Sequence, residues 1–559
     1  GTDQLDPLSN IRCWPQHHVG ICPWALLGGG CKSESGASDP DGDKPVPPLS
    51  AELLQKIEDL NAGLVSLKAL AGAVSQSEVR SLAETEEGVR LTFRDGTEVT
   101  VACRAEAAEA PLIGIAADGD AYYWTLAAEK DAPWLKDASG EKMPVSGPVP
   151  VMGRDDKGLW TVTTDAAVTP WQIGDASGNP VEVTGDECVE LFRSVKAENG
   201  RVEIALTDGG TLSAAQINDL SAAGTANCYV VSAPGSYVFN ARVRGNGAGE
   251  GVGFEPAIEL ADDMTADWLW TDSEGLVSGI ALDKVSGDIS FTVGEGKGNA
   301  LVALMQDGRV VWSWHIWVTD VPQTMAYGNG TVFMDRNLGA VGATAGGTDA
   351  YGMYYQWGRK DPFYGGEKTE TSANAFLEAK NGTAVNPAYP ALGWNFSKSA
   401  TTTDGAAANP MTFYNNKVGN GYNWLASPNA TLWGETKTLN DPCPPGYRVP
   451  ETGAWEDLIA GRQYIDGVSV WDGTNCGMTY AHGGRTAWYP AQGYRNYSSG
   501  AIVGLRSSTG GSGAYWSVEA SSVKSYYLFF RSKLSSSGSI NNELDMNRSY
   551  GYTVRCCKE

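Results

Sequence analysis

The sequence predicts a mainly β, multidomain protein, and three observations carry that reading. Its 559 residues exceed what one hydrophobic core serves, so several domains are expected. Its 69 glycines, 19 tryptophans and 23 tyrosines stand against only 19% charged residues, a composition of short strands and many turns. Alternating apolar runs broken by Asp-Gly and other Gly-rich turns recur along most of the chain.

Charge narrows the partners. A formal charge of -25 argues against nucleic acid and anionic membrane surfaces, because phosphate binding needs a basic patch and none is visible. No stretch reaches the ~18 apolar residues of a spanning helix. The ten cysteines form no CxxC pair and His17, His18, His315 and His482 are isolated, so neither a metal site nor a cofactor is expected.

Residues 1–48 read as a leader and tether. His18 to Gly30 is short and apolar, Cys31 follows, and Ser33 to Pro48 is rich in Ser, Gly, Asp and Pro. The run resembles a lipoprotein signal, which implies a lipidated Cys31, removal of the residues before it, and an outer-membrane surface location. The alternative is an unstructured leader.

Residues 49–76 predict a helix capped by Ser50. Leu53, Ile57, Leu60, Leu64, Leu67, Ala71 and Val74 alternate in spacings of four and three, a heptad seam that predicts a short coiled coil with copies of itself. Packing on the next domain is the alternative.

Residues 77–215 predict a stalk of β-hairpins. Val89 to Val101 and Arg201 to Leu212 are alternating runs folded about Asp95-Gly96 and Asp208-Gly209. Between them lies a duplication: Trp124-Thr125-Leu126, Pro133-Trp134 and Asp137-Ala138-Ser139-Gly140 recur as Trp160-Thr161-Val162, Pro170-Trp171 and Asp175-Ala176-Ser177-Gly178. Each unit is expected to use its Trp pair as a small core rather than as a binding platform.

Residues 223–322 predict a β-sandwich closed by WSWHIWV, in which Trp317 has the opposite parity to Trp312 and Trp314. His315 reads as a hydrogen-bonded strand histidine. Cys103, Cys188, Cys228 and Cys476 read as buried thiols.

Residues 325–559 carry the phrases MDRNLGA, YYQWGRKDPF, DPCPPGYRVP, AWYPAQGYR, YWS and NRSYGYTVRC. Together they resemble the Fibrobacter succinogenes major paralogous domain, a C-type-lectin-like α+β module of Bacteroidota surface proteins. The hairpin and Trp/DASG region similarly resembles the stalks of Bacteroidota surface lipoproteins, although their collagen-like runs are replaced here by EAAEAP and VSGPVPVMG. The resemblance implies a non-enzymatic recognition head for a glycan or an extracellular protein. It also singles out Cys443 and Cys556, both inside such phrases, as a disulfide in an oxidising compartment, with Cys557 as a competing partner. Closing a loop of roughly 110 residues would add about 4–5 kcal/mol.

Within that region Asp335, Arg336, Asn337, Trp357, Arg359, Asp361 and Arg448 read as a buried framework, with Arg and Asp bonding each other and fixing loop geometry. Arg336→Ala should then lower thermal stability. The segment PETGAWEDLIAG predicts a short helix capped by Glu451 or Thr452 and burying Trp455, Leu458 and Ile459. Glu367 to Thr438 reads as an irregular insertion.

No GxSxG, HExxH, P-loop or GxGxxG context occurs, and the EPN, QPD and WND phrases of calcium-dependent lectins are absent. Sugar binding by aromatic stacking stays open, and Trp394, Tyr422, Trp433 and Tyr497 are the aromatics expected to be exposed for it. Two further readings stand beside recognition. One is a fimbria-associated structural subunit; the other is an enzyme akin to the formylglycine-generating fold, which needs an active-site cysteine pair.

Overall fold

The computed structural model describes residues 50–103, 112–126, 134–165, 168–175, 177–184, 190–247, 256–365, 384–505, 510–532 and 540–559. Cys31, Cys188 and the leader lie outside them. The chain is mainly β, as expected, and forms two units divided between Ile217 and Asn218.

In the first unit, Ser50 caps the helix Ala51–Val74 by accepting from Leu53 N at 3.1 Å, which satisfies one of the helix's orphan donors. The heptad seam is covered, but not by a second copy. Leu60, Leu64, Leu67 and Ala71 enter one core with Val89, Phe93, Trp124, Trp160 and Ile204 from the strands of the same unit. Gly63 permits that approach, since a Cβ there would lie 2.9 Å from Leu191 Cδ1. The coiled-coil expectation is corrected from Leu60 onward: the apolar stripe is narrow because it fits strands, not a partner helix.

Both Asp-Gly turns form. Gly96 (φ 87°) and Gly209 (φ 91°) take the left-handed conformation, and Asp95 and Asp208 accept from Thr97 N (2.9 Å) and Gly210 N (2.8 Å). Each hairpin gains a third strand, giving the meanders Val79–Thr85/Gly88–Phe93/Glu98–Val101 and Phe192–Glu198/Arg201–Leu206/Thr211–Ala215.

The duplicated units are not simple hairpins. Trp124 N donates to Met143 O, Met143 N to Leu135 O, and Leu135 N to Trp124 O, closing a three-way ring. The second copy repeats it with Trp160, Val181 and Ile173. The first tryptophan of each pair is buried, while Trp134 and Trp171 are only partly so. Lys142 lies 4.2 Å from the Trp134 ring, and Trp171 Nε1 bonds Lys136 O at 3.2 Å. Cys103, expected as a thiol, is disulfide-bonded.

In the second unit the sandwich forms. A five-stranded sheet orders Cys228–Val231, Arg309–Val318, Gly298–Gln306, Met264–Thr271 and Ala384–Val385. A four-stranded sheet orders Asn218–Asp219, Gly235–Asn240, Asp288–Val293 and Val277–Leu282. The parity of the tryptophans now has a cause. Trp312, Trp314 and Ile316 pack inside the sandwich, whereas Trp317, Leu301 and Ala303 face a second core built with the C-terminal region. Both faces of this sheet are therefore buried, and residues 223–322 do not form a separate domain.

The C-terminal region is stitched from short strands. Val332–Met334 pairs with Cys557–Lys558, which also pairs with Tyr447–Arg448. The Cys443–Cys556 disulfide is present, and Cys228, Cys476 and Cys557 are buried. The expected helix is a 3-10 helix, Thr452–Leu458, burying Ala454, Trp455 and Leu458. Neither proposed cap acts, because Glu451 turns to Arg448 instead (2.6 Å).

Candidate functional site

Of the residues expected as a buried framework, Arg336, Asn337, Trp357, Arg359 and Asp361 are buried, whereas Asp335 and Arg448 are only partly so. Arg336 is buried and forks between two carboxylates, Nε and Nη2 to Asp335 (2.8 and 3.1 Å) and Nη1 and Nη2 to Asp320 (3.2 and 3.0 Å). The Arg336 guanidinium holds Asp320 well below the usual carboxylate range. Asn337 is fully buried, donating to Gln492 Oε1 (2.7 Å) and Tyr515 OH (3.1 Å) and accepting from Arg555 (3.0 and 2.8 Å). Trp357 Nε1 bonds Ser517 O at 2.9 Å.

One expected pairing is corrected. Arg359 does not bond Asp361; it donates to Gln356 Oε1 and to the carbonyls of Thr412 (2.7 Å), Pro410 (3.3 Å), Asn409 (3.4 Å) and Ala406 (3.5 Å). Asp361 instead takes Lys360 Nζ at 2.6 Å and Ser313 Oγ at 2.7 Å. Loops without ladders leave carbonyls unpaired, and a five-donor guanidinium serves several at once. A recess beside Arg359, Lys360, Asp361 and Trp424 holds about 10 Å³, room for one water and not for a sugar.

Trp394 and Trp433 are buried, against the expectation of exposure. Trp394 packs on Trp270 (5.3 Å between centroids) and Tyr364 (4.9 Å); Trp433 packs on Trp357 (5.6 Å) and bonds Asn440 O (2.8 Å). The described part of the 367–438 segment accordingly contributes to the core, with Met411, Phe413 and Trp424 as well.

Tyr422 and Tyr497 behave differently. Distant in sequence, their ring centroids lie 4.7 Å apart and both remain partly exposed. Tyr550 continues the array at 4.9 Å from Tyr497, and Tyr494 lies 5.7 Å from Tyr550. Tyr552, 5.4 Å from both Tyr494 and Tyr550, packs on Trp516 (4.3 Å) and Tyr527 (4.8 Å), so the outer rings adjoin a buried aromatic base.

Three loops deliver these rings. Tyr422 sits on the hairpin Asn416–Val418/Gly421–Asn423, and its N–H bonds Asn547 Oδ1 at 3.0 Å. Gly421 leaves room for that contact, since a Cβ would lie 2.8 Å from the same oxygen. Tyr494 begins the short strand Tyr494–Arg495 and Tyr497 lies in the turn that follows, where Arg495 donates to Gly500 O (2.7 Å) and Asn496 accepts from Ser498 N (2.8 Å). Tyr550 follows the buried Arg548, whose guanidinium lies 4.7 Å from the Trp357 ring and bonds the carbonyls of Asn429, Ser521 and Lys524.

Burial pushes the Tyr550 phenol up to about 12, so it stays protonated and can donate as well as accept. The platform thus offers ring faces and phenolic hydroxyls, the chemistry of stacking and hydrogen bonding. Among the described residues no group of three or more His, Cys, Asp or Glu is placed to hold a metal, and no helix is long and apolar enough to cross a membrane.

Tyr494, Tyr550, Gln492 and Arg555 were not singled out from sequence. All four fall inside the phrases AWYPAQGYR and NRSYGYTVRC, so a closer reading of those phrases held the signal.

Residues 50–215 match a family model described as a domain of unknown function, DUF4988. That match spans the helix, the meanders and the duplicated units of the first unit. No curated protein matches the chain.

Proposed function

We propose that this protein is a non-enzymatic recognition protein that binds a saccharide on the platform of Tyr422, Tyr497, Tyr550 and Tyr494. The observation that carries the reading is convergence: rings from three separate loops meet at 4.7–5.7 Å and stay partly exposed beside a buried aromatic base. A sugar presents an apolar C–H face that stacks on such rings, with hydroxyls reaching phenols at the edge. The resemblance of the C-terminal phrases to a C-type-lectin-like module of surface lipoproteins supports the same reading, and with it display at a cell surface through Cys31.

The test is a glycan array followed by calorimetric titration with the full chain and with Tyr497→Ala. The expected outcome is a loss of about tenfold or more in affinity with an unchanged melting temperature. Binding that survives Tyr497→Ala at full strength would overturn the proposal.

A further inference from the structure

We infer that the platform selects an anionic saccharide, one bearing a carboxylate or a sulfate; this rests on the platform reading and specifies its ligand. The chain holds 66 acidic against 41 basic residues, yet the three ring-bearing loops invert that balance. Residues 415–423, 494–503 and 547–552 contain Lys417, Arg495 and Arg548 and no Asp or Glu.

Lys417 is placed to act on a ligand directly, and Arg548 adds buried positive charge close in sequence to Tyr550. Lys417 lies directly opposite Tyr422 in the antiparallel register, so both side chains leave the same face of the hairpin, and Lys417 is exposed. Arg548, two residues before Tyr550, is buried, and its hydrogen bonds go to three carbonyls and to Ser525 Oγ, all neutral groups. A guanidinium surrounded by neutral acceptors keeps its full positive charge, and its field is weakly screened in a low-dielectric interior. The adjacent Lys524, opposite Asn547, is paired with Asp545 at 3.4 Å and adds little net charge.

On a chain with a formal charge of -25, rings borne on loops without carboxylates and beside Lys417 favour an anionic ligand locally. A uronic acid or sulfated sugar then stacks on Tyr497 and Tyr550 while its anionic group lies toward Lys417.

The experiment uses the full chain against oligosaccharides in matched sets: a neutral sugar, its uronic acid and its sulfated form, at low and high salt. The anionic members are expected to bind in preference, with affinity falling as salt rises, and Lys417→Gln should weaken them by about three- to tenfold. Comparing uronic with sulfated members identifies the anion. Neutral members bound as well or better would overturn the inference and leave the platform standing. An anionic preference that Lys417→Gln leaves intact would also overturn it. Binding of no member above the Tyr497→Ala control would remove the platform reading itself.

Discussion

The two units solve the same problem in opposite ways. Among the described residues, the polar side chains buried in the first unit are Thr125, Thr161 and Thr207. The second buries Arg336, Arg359, Lys360, Asp361, Lys437, Asp441, Arg495, Arg548 and Arg555, among others. The first is built from meanders and closed three-way rings, where backbone groups satisfy one another. The second holds long irregular loops, and its buried cations supply the donors that ladders would otherwise provide: Arg359 for Ala406–Thr412, Arg548 for Asn429 and Ser521, and Lys437 for Cys443 and Tyr447. Irregular loops that can present tyrosines toward solvent therefore depend on charge inside.

The sharpest way to break this contrast is to unlink the second unit. The Cys443→Ala/Cys556→Ala double variant opens a bridge between residues 113 apart. It should cost that unit about 4–5 kcal/mol. Calorimetry should show its transition shift while that of the first unit stays in place; a joint shift would deny the division.

Arg359→Met comes next. It leaves several buried carbonyls without a donor, at about 1–3 kcal/mol each and not additive, for a loss of about 3–4 kcal/mol in urea denaturation. A loss under about 1 kcal/mol would mean that the cation is not what satisfies those loops.

The third effect is set by pH. Burial holds His315 neutral, with its pKa lowered to about 3, while Nε2 meets Asn299 Oδ1 at 2.7 Å. The unfolded chain binds a proton there below about 6.5 and the folded chain does not. The second unit should therefore lose stability as pH falls from about 6.5 toward 3, by at most about 1.4 kcal/mol per pH unit from this group. His315→Gln should flatten that slope in pH-dependent melting, and an unchanged slope would contradict it. Among the described residues the first unit has no histidine, and its smallest test is Ser50→Ala. Removing that helix cap should lower only the first transition, by about 1 kcal/mol.

What could be read from sequence follows the same division. Local chemistry was legible: the Ser50 cap, the Asp95-Gly96 and Asp208-Gly209 turns, the duplication around Trp124 and Trp160, and the odd parity of Trp317. Each shows as a pattern in short runs of sequence, without its tertiary partners. The disulfide came from resemblance, and its partner choice was settled by packing: Cys443 and Cys556 share one core while Cys557 lies in another. Long-range events were not legible. Nothing near Leu60 announces that strands up to Ile204 will cover it. Trp433 looked exposed in a polar segment because Trp357, its partner, is distant in sequence. For the platform, Tyr422 and Tyr497 were found, but their meeting depends on three loops whose backbone is fixed by Asn547, Arg495 and Arg548.

The central claim is that recognition resides on the tyrosine platform of the second unit and is separable from what holds either unit together. Saccharide titration of the full chain beside Tyr497→Ala and Ser50→Ala tests it most directly. Binding should be lost in Tyr497→Ala without a change in melting, and retained in Ser50→Ala despite its lowered first transition. Full binding by Tyr497→Ala, or loss in Ser50→Ala alone, would contradict it.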